Sequence, residues 1–114
     1  MKPAHLELGD GTLLALDVKG YLLDGSGWSP QVAERMALLD QMVLTSDHWV
    51  ILQIFRDYFS RFDIDPPMRA LVKRVKAQLG EGKGNSRYLY QLFPEGPVQQ
   101  ACRYAGLPRP LSCT

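Results

Sequence analysis

The chain has 114 residues, of which 46% are hydrophobic and 22% charged, with a formal net charge of +1. That length suits one domain, spanning residues 1–114, that buries about two-thirds of the surface its unfolded form would expose. No apolar run approaches the ~20 residues of a membrane span, and the N-terminus carries no apolar signal stretch, so a cytoplasmic protein without membrane contact is expected.

The charge is unevenly spread. Residues 1–65 hold five Lys/Arg against ten Asp/Glu, whereas residues 66–114 hold eight against two. A basic half steers anionic or acidic partners over long range, and it is equally compatible with a solvated surface.

In chain order, Leu6 to Leu8, Gly9-Asp10-Gly11 and Thr12 to Leu16 read as a β-hairpin with a glycine-rich turn. Lys19 to Leu22 makes a further short turn or strand, and Asp24-Gly25-Ser26-Gly27 reads as a loop. Ser29-Pro30 has the N-cap and first-position signals of a helix, whose apolar side is Val32, Met36 and Leu39. Thr45 or Ser46 caps the next helix, along which Trp49, Leu52, Phe55 or Arg56, and Phe59 recur at helical spacing. Asp63 to Pro67 breaks it, and the first proline begins a third helix through Met68, Leu71, Val72, Val75 and Leu79 to Gly80. Gly82-Lys83-Gly84 reads as a flexible connector, Asn85 or Ser86 as the cap of a fourth helix, and Pro97 to Ala105 as a short last one. The fold class is therefore α+β and mainly α, a small N-terminal hairpin followed by a helical bundle.

Residues 107–114 carry two prolines and no periodicity, which predicts a flexible, extended C-terminal arm. An arm of six to eight residues reaches roughly 20–25 Å at full extension. The penultimate residue, Cys113, is the leading candidate for chemistry, because an accessible thiol on such an arm can enter another protein's active site. Its reactive form is the thiolate. Cys102, in the last helical segment, is either a small core hydrophobe or a resolving partner for Cys113. Spacing alone favours the core. His5 and His48 are not spaced as metal ligands, and two cysteines without nearby histidines make a poor zinc site, so no metal is expected. His48 reads as a surface or capping residue.

The stretch Lys83 to Pro94, with Gly96-Pro97, Gln100-Ala101-Cys102, Ala105 to Pro110 and Cys113, resembles the signature of the TusE/DsrC family. Weaker similarity covers Asp17, Gly20 to Leu22, Trp28-Ser29, Thr45 to Trp49 and Pro67 to Lys73. The resemblance implies a mainly helical fold with a mobile arm, and a sulfurtransferase whose penultimate cysteine, Cys113, carries sulfur as a persulfide. It implies no cofactor. TusE-like members take sulfur from the TusBCD complex and pass it to the tRNA thiolase MnmA for 2-thiouridine synthesis, meeting tRNA only indirectly. DsrC-like members serve dissimilatory sulfite reductase and use a second cysteine, which matches Cys102 and which TusE-like members commonly lack. The relay role is the leading expectation and the sulfite-reductase role its alternative. On either reading, Arg69, Lys73, Lys83, Arg87, Arg103 and Arg109 are candidates for an electropositive partner-binding surface around the base of the arm.

Two further classes compete. The helices around Pro66 to Leu79 and Ser86 to Leu92 are spaced like a helix-turn-helix nucleic-acid-binding module without covalent chemistry. Tyr88, Tyr90 and Phe93 have the composition of an interaction surface, though aromatic residues are equally at home in a core.

Overall fold

The computed structural model describes residues 4–110. Strands β1 (His5–Glu7) and β2 (Leu13–Ala15) form an antiparallel hairpin with His5 opposite Ala15, Leu6 opposite Leu14 and Glu7 opposite Leu13. Strand alternation aims Leu6, 3% exposed, at the core while its neighbours face solvent. A bridge between Leu16 and Leu22 closes a second turn. There the Asp17 carboxylate accepts the backbone N–H groups of Lys19 and Tyr21 at 2.8 and 2.9 Å. Residues 24–27 are more ordered than the loop expected of them. Gly25–Gly27 is one turn of 3-10 helix, capped by the Asp24 side chain on Ser26 N–H.

Helix α1 (Pro30–Leu39) starts where the serine-proline pair implies, although Ser29 makes no side-chain cap bond. Its buried stripe is Val32, Ala33, Met36 and Ala37; Leu39 falls off that stripe and is half exposed. Helix α2 (Ser46–Phe62) is capped by Thr45, which accepts from His48 N–H while the His48 ring bonds back to Thr45 N–H. His48 is a capping residue as expected but not a surface one. It is 5% exposed, and Nε2 lies 2.7 Å from the Leu92 carbonyl. Ile51, Leu52, Ile54 and Phe55 form the buried face of α2.

Helix α3 (Met68–Leu79) begins two residues later than the first-proline signal suggests, with Pro67 as its N-cap residue, and it ends at Gly80. The connector before α4 (Ser86–Leu92) is open and exposed at Gly82 and Lys83, as a flexible link would be, but closely packed at Gly84. A Cβ on Gly84 would lie 2.0 Å from the Lys76 Cγ, so only glycine lets this turn lie against α3. Asn85 caps α4 by accepting from Tyr88 N–H at 2.8 Å.

Helix α5 (Pro97–Tyr104) is the centre of the molecule, packed against α1, α2 and α4. Every residue from Gln100 to Leu107 is buried. Side chains of the size of Phe55, Leu89, Phe93 and Tyr104, all fully enclosed, each stabilise the fold by about 1.5–3 kcal/mol. No helix among the described residues is long and apolar enough to cross a membrane.

Candidate functional site at the base of the C-terminal arm

Cys113 lies outside the described residues, so the site that the structure places is the base from which it is carried. Three tethers hold that base. Trp28 Nε1 donates to the Tyr104 carbonyl at 2.8 Å, Arg56 Nη1 donates to the Ala105 carbonyl at 2.7 Å, and Leu107 N–H donates to the Cys102 carbonyl at 3.0 Å. The Arg56 guanidinium stacks over the Trp28 ring at 3.8 Å. Burial lowers the pKa of Arg56, although an arginine remains charged at any ordinary pH. Gly106, at φ +74°, turns the chain out of α5 directly against the Trp28 side chain.

Beyond this turn, Leu107 is 6% exposed and Pro110 is buried, while Pro108 and Arg109 face solvent. Arg109 Nε bonds Asp17 Oδ2 at 3.0 Å, which ties residue 109 to the turn after the hairpin. Burial pushes the Asp17 carboxyl up. The bonds it accepts from Tyr21 N–H, Arg109 and Lys19 N–H outweigh that and hold it below its ordinary value. A depressed carboxyl contributes stability above its unfolded pKa, and that contribution is lost as pH falls through the folded value. Wild type is therefore expected to lose more stability than Asp17→Asn as pH falls from about 5 to about 2. Parallel thermal-unfolding curves against pH for the two proteins would mean that the tie contributes nothing.

A buried polar cluster locks α5 to α1. Asp40, at the end of α1, accepts from Tyr104 OH at 2.5 Å and from Arg103 Nη2 at 2.9 Å. Arg103 also meets Glu95 at 3.1 Å, and Gln100 donates to the Tyr104 hydroxyl at 2.9 Å. Burial, then the bond to Asp40, raises the pKa of Tyr104 far above ordinary tyrosine, so it stays a neutral donor. Cys102 sits in the same helix turn with no exposed surface.

The structure divides the six basic candidates. Arg69 and Lys73 are exposed on α3, and Arg87 is exposed on α4, where it lines a shallow cavity with Tyr88 and Gln91. Lys83 is spent on an ion pair with Asp47 at 2.8 Å; that carboxylate also accepts from Tyr88 OH. Arg103 is a correction. It is 7% exposed and neutralised by Asp40 and Glu95, so it presents no steering charge to a partner. Arg109 alone of the six belongs to the base of the arm, and there it is paired. Among the described residues no group of three or more His, Cys, Asp or Glu is arranged to hold a metal ion.

Two cavities flank the emerging chain. One of ≈ 430 Å³ is lined by Leu22, Leu23, Arg56, Phe59, Leu107 and Pro108, together with Gly25, Ser60 and Gly106. The other, of ≈ 270 Å³, lies between Phe59, Asp63, Ile64, Asp65, Pro108 and Arg109. Sequence periodicity placed Phe55 or Arg56 on one apolar face and gave no sign that Arg56 turns toward this base.

A family model described as DsrC like protein matches residues 9–114. The sulfurtransferase TusE of Pectobacterium atrosepticum is 43% identical over 104 residues, which cover 91% of this chain and 95% of that protein. The TusE of Escherichia coli K12 is 42% identical over the same shares. Among solved structures, Allochromatium vinosum DsrC aligns with a TM-score of 0.85 and 47% identity over 96% of this chain and 97% of its own. The oxidized gamma-subunit of dissimilatory sulfite reductase (DsrC) from Archaeoglobus fulgidus also reaches 0.85, with 40% identity over 96% and 99% of the two chains.

Proposed function

Because the chain belongs to the DsrC-like protein family, we propose that it is a sulfurtransferase that carries sulfur as a persulfide on Cys113. The observation that carries this reading is the match to sulfurtransferases over 91% of the chain at 43% identity, together with a family match that runs through the penultimate cysteine. The Cys113 thiolate attacks the outer sulfur of a donor persulfide. The donor's S–S bond breaks, a new S–S bond forms on Cys113, and the donor cysteine leaves as thiolate. An acceptor thiolate then takes the outer sulfur and Cys113 leaves as thiolate. Each step is a transfer of sulfane sulfur between thiolates, with no net change in electron count. It therefore calls for no metal or organic cofactor.

The relay that this carrier serves is tRNA wobble-uridine 2-thiolation, with a donor resembling TusBCD and an acceptor resembling MnmA. The enclosure of Cys102 within α5 supports a packing role for it in that relay, since an attacking thiol needs access and thiolate character. The relay is tested in cells that lack this gene and its tRNA 2-thiouridine. The wild-type gene is expected to restore 2-thiouridine and Cys113→Ser to restore none. Cys102→Ala, which keeps a small apolar group in the core, is expected to restore normal levels. Loss of thiolation in a folded Cys102→Ala protein would show that the second cysteine takes part in the transfer.

A further inference from the structure

Four residues follow Pro110, and the carrier thiol belongs to the third of them. At ~3.5 Å per residue, the Cα of Cys113 lies within about 10 Å of the Cα of Pro110, whatever path the chain takes. A protein that exchanges sulfur with this thiol must therefore bring its own active-site mouth onto the surface around Pro108 and Arg109. The basic residues of α3 and α4 contribute no side chain to the cavities there.

That surface is a groove with unspent binding capacity. The two cavities beside the emerging chain share Phe59 and Pro108 and so lie side by side. Leu23, 64% exposed, stands over one and Ile64, 42% exposed, over the other. Arg56 lines the first cavity. Its guanidinium has five N–H donors; one is used on the Ala105 carbonyl, the Asp57 carboxylate acts on it only through longer-range attraction, and no carboxylate among the described residues lies within ion-pair distance of it. A half-buried cation with open donors, framed by exposed aliphatic side chains, is suited to receive a carboxylate along with apolar contact. At the opposite end, Asp63 offers an exposed carboxylate for a partner cation.

We infer that this groove is the docking surface for the protein that donates sulfur to Cys113, and that this donor fills it with an apolar ridge carrying a carboxylate for Arg56. The inference rests on the carrier reading, and two sulfur sources separate the two claims. Loading of Cys113 by inorganic polysulfide needs no docking, whereas loading by a purified persulfide-bearing donor resembling TusBCD does. The full chain is compared with Leu23→Glu, Ile64→Glu and Arg56→Gln, the first two being exposed positions where a charge does not endanger the fold. Leu23→Glu and Ile64→Glu are each expected to load from polysulfide at the wild-type rate and from the donor at least about tenfold more slowly, whereas Arg56→Gln, which also loses a tether of the base, is expected to lose more of its donor rate than of its polysulfide rate. The donor reaction of Arg56→Gln is also expected to depend less on salt than that of wild type. Donor rates that stay at the wild-type level in Leu23→Glu and Ile64→Glu would overturn the docking surface while leaving the carrier reading intact. A wild-type chain that takes sulfur from neither source would overturn both.

Discussion

Replacing Cys113 by Ser is expected to abolish sulfur acceptance while leaving the thermal unfolding temperature within about 1 °C of wild type. The oxygen nucleophile is far weaker and its conjugate acid far less acidic, so no persulfide analogue accumulates. The helices that make the core end at Tyr104, and none of the packing described above involves residue 113, so the substitution is expected to leave that packing intact. Labelled sulfur from a donor persulfide, followed onto the purified protein, measures the first effect, and differential scanning calorimetry the second. A serine variant that still accepts label would place the carrier elsewhere in the chain.

The second large effect concerns the turn that launches the arm. Gly106→Ala is expected to destabilise the protein by about 2–4 kcal/mol, which for a domain of this size lowers the unfolding temperature by roughly 10 °C or more. Two costs add. A side chain at φ +74° is strained by about 1–2 kcal/mol, and the new Cβ would lie 2.4 Å from the Trp28 Cδ1. The indole has no easy retreat, because its Nε1 is bonded to the Tyr104 carbonyl and its face is covered by Arg56. Relief therefore moves residues 107–110. Transfer from a protein donor should fall further than loading from polysulfide. An unfolding temperature equal to wild type would mean that Trp28 yields freely and that the base is not rigid.

Much of the fold was legible from local chemistry. Ser29-Pro30, Thr45, Asn85, Gly80 and Gly106 marked helix ends, and three- to four-residue spacing marked the buried Leu71 and Val75 of α3 and the Leu52 and Phe55 of α2, but not the Ile51 and Ile54 buried beside them. What stayed hidden depends on partners far away in sequence. Arg103 reads as a basic surface residue until Asp40, 63 positions earlier, arrives to neutralise it. His48 reads as a helix-start residue, and only the Leu92 carbonyl, 44 positions on, explains its burial. Gly84 looked like a flexible link because no local signal announces the closeness of Lys76. The candidate site shows the same limit. Cys113 stood out by its place near the end of the chain, but the groove beside the arm is assembled from the segment around Leu23, the last two turns of α2 with the residues just after it, and residues 106–109. No sequence window contains all three.

The most direct test is mass spectrometry of the full chain after exposure to a persulfide donor and alkylation, followed by cleavage after Arg103. Residues 104–114 then leave as a peptide whose single cysteine is Cys113. The carrier account predicts that this peptide gains the mass of one sulfur atom and loses it, together with the alkyl group, on reduction, in proportion to the sulfur that an unalkylated portion delivers to an acceptor thiol. Extra sulfur confined to the peptide that contains Cys102, or none on either, would contradict it.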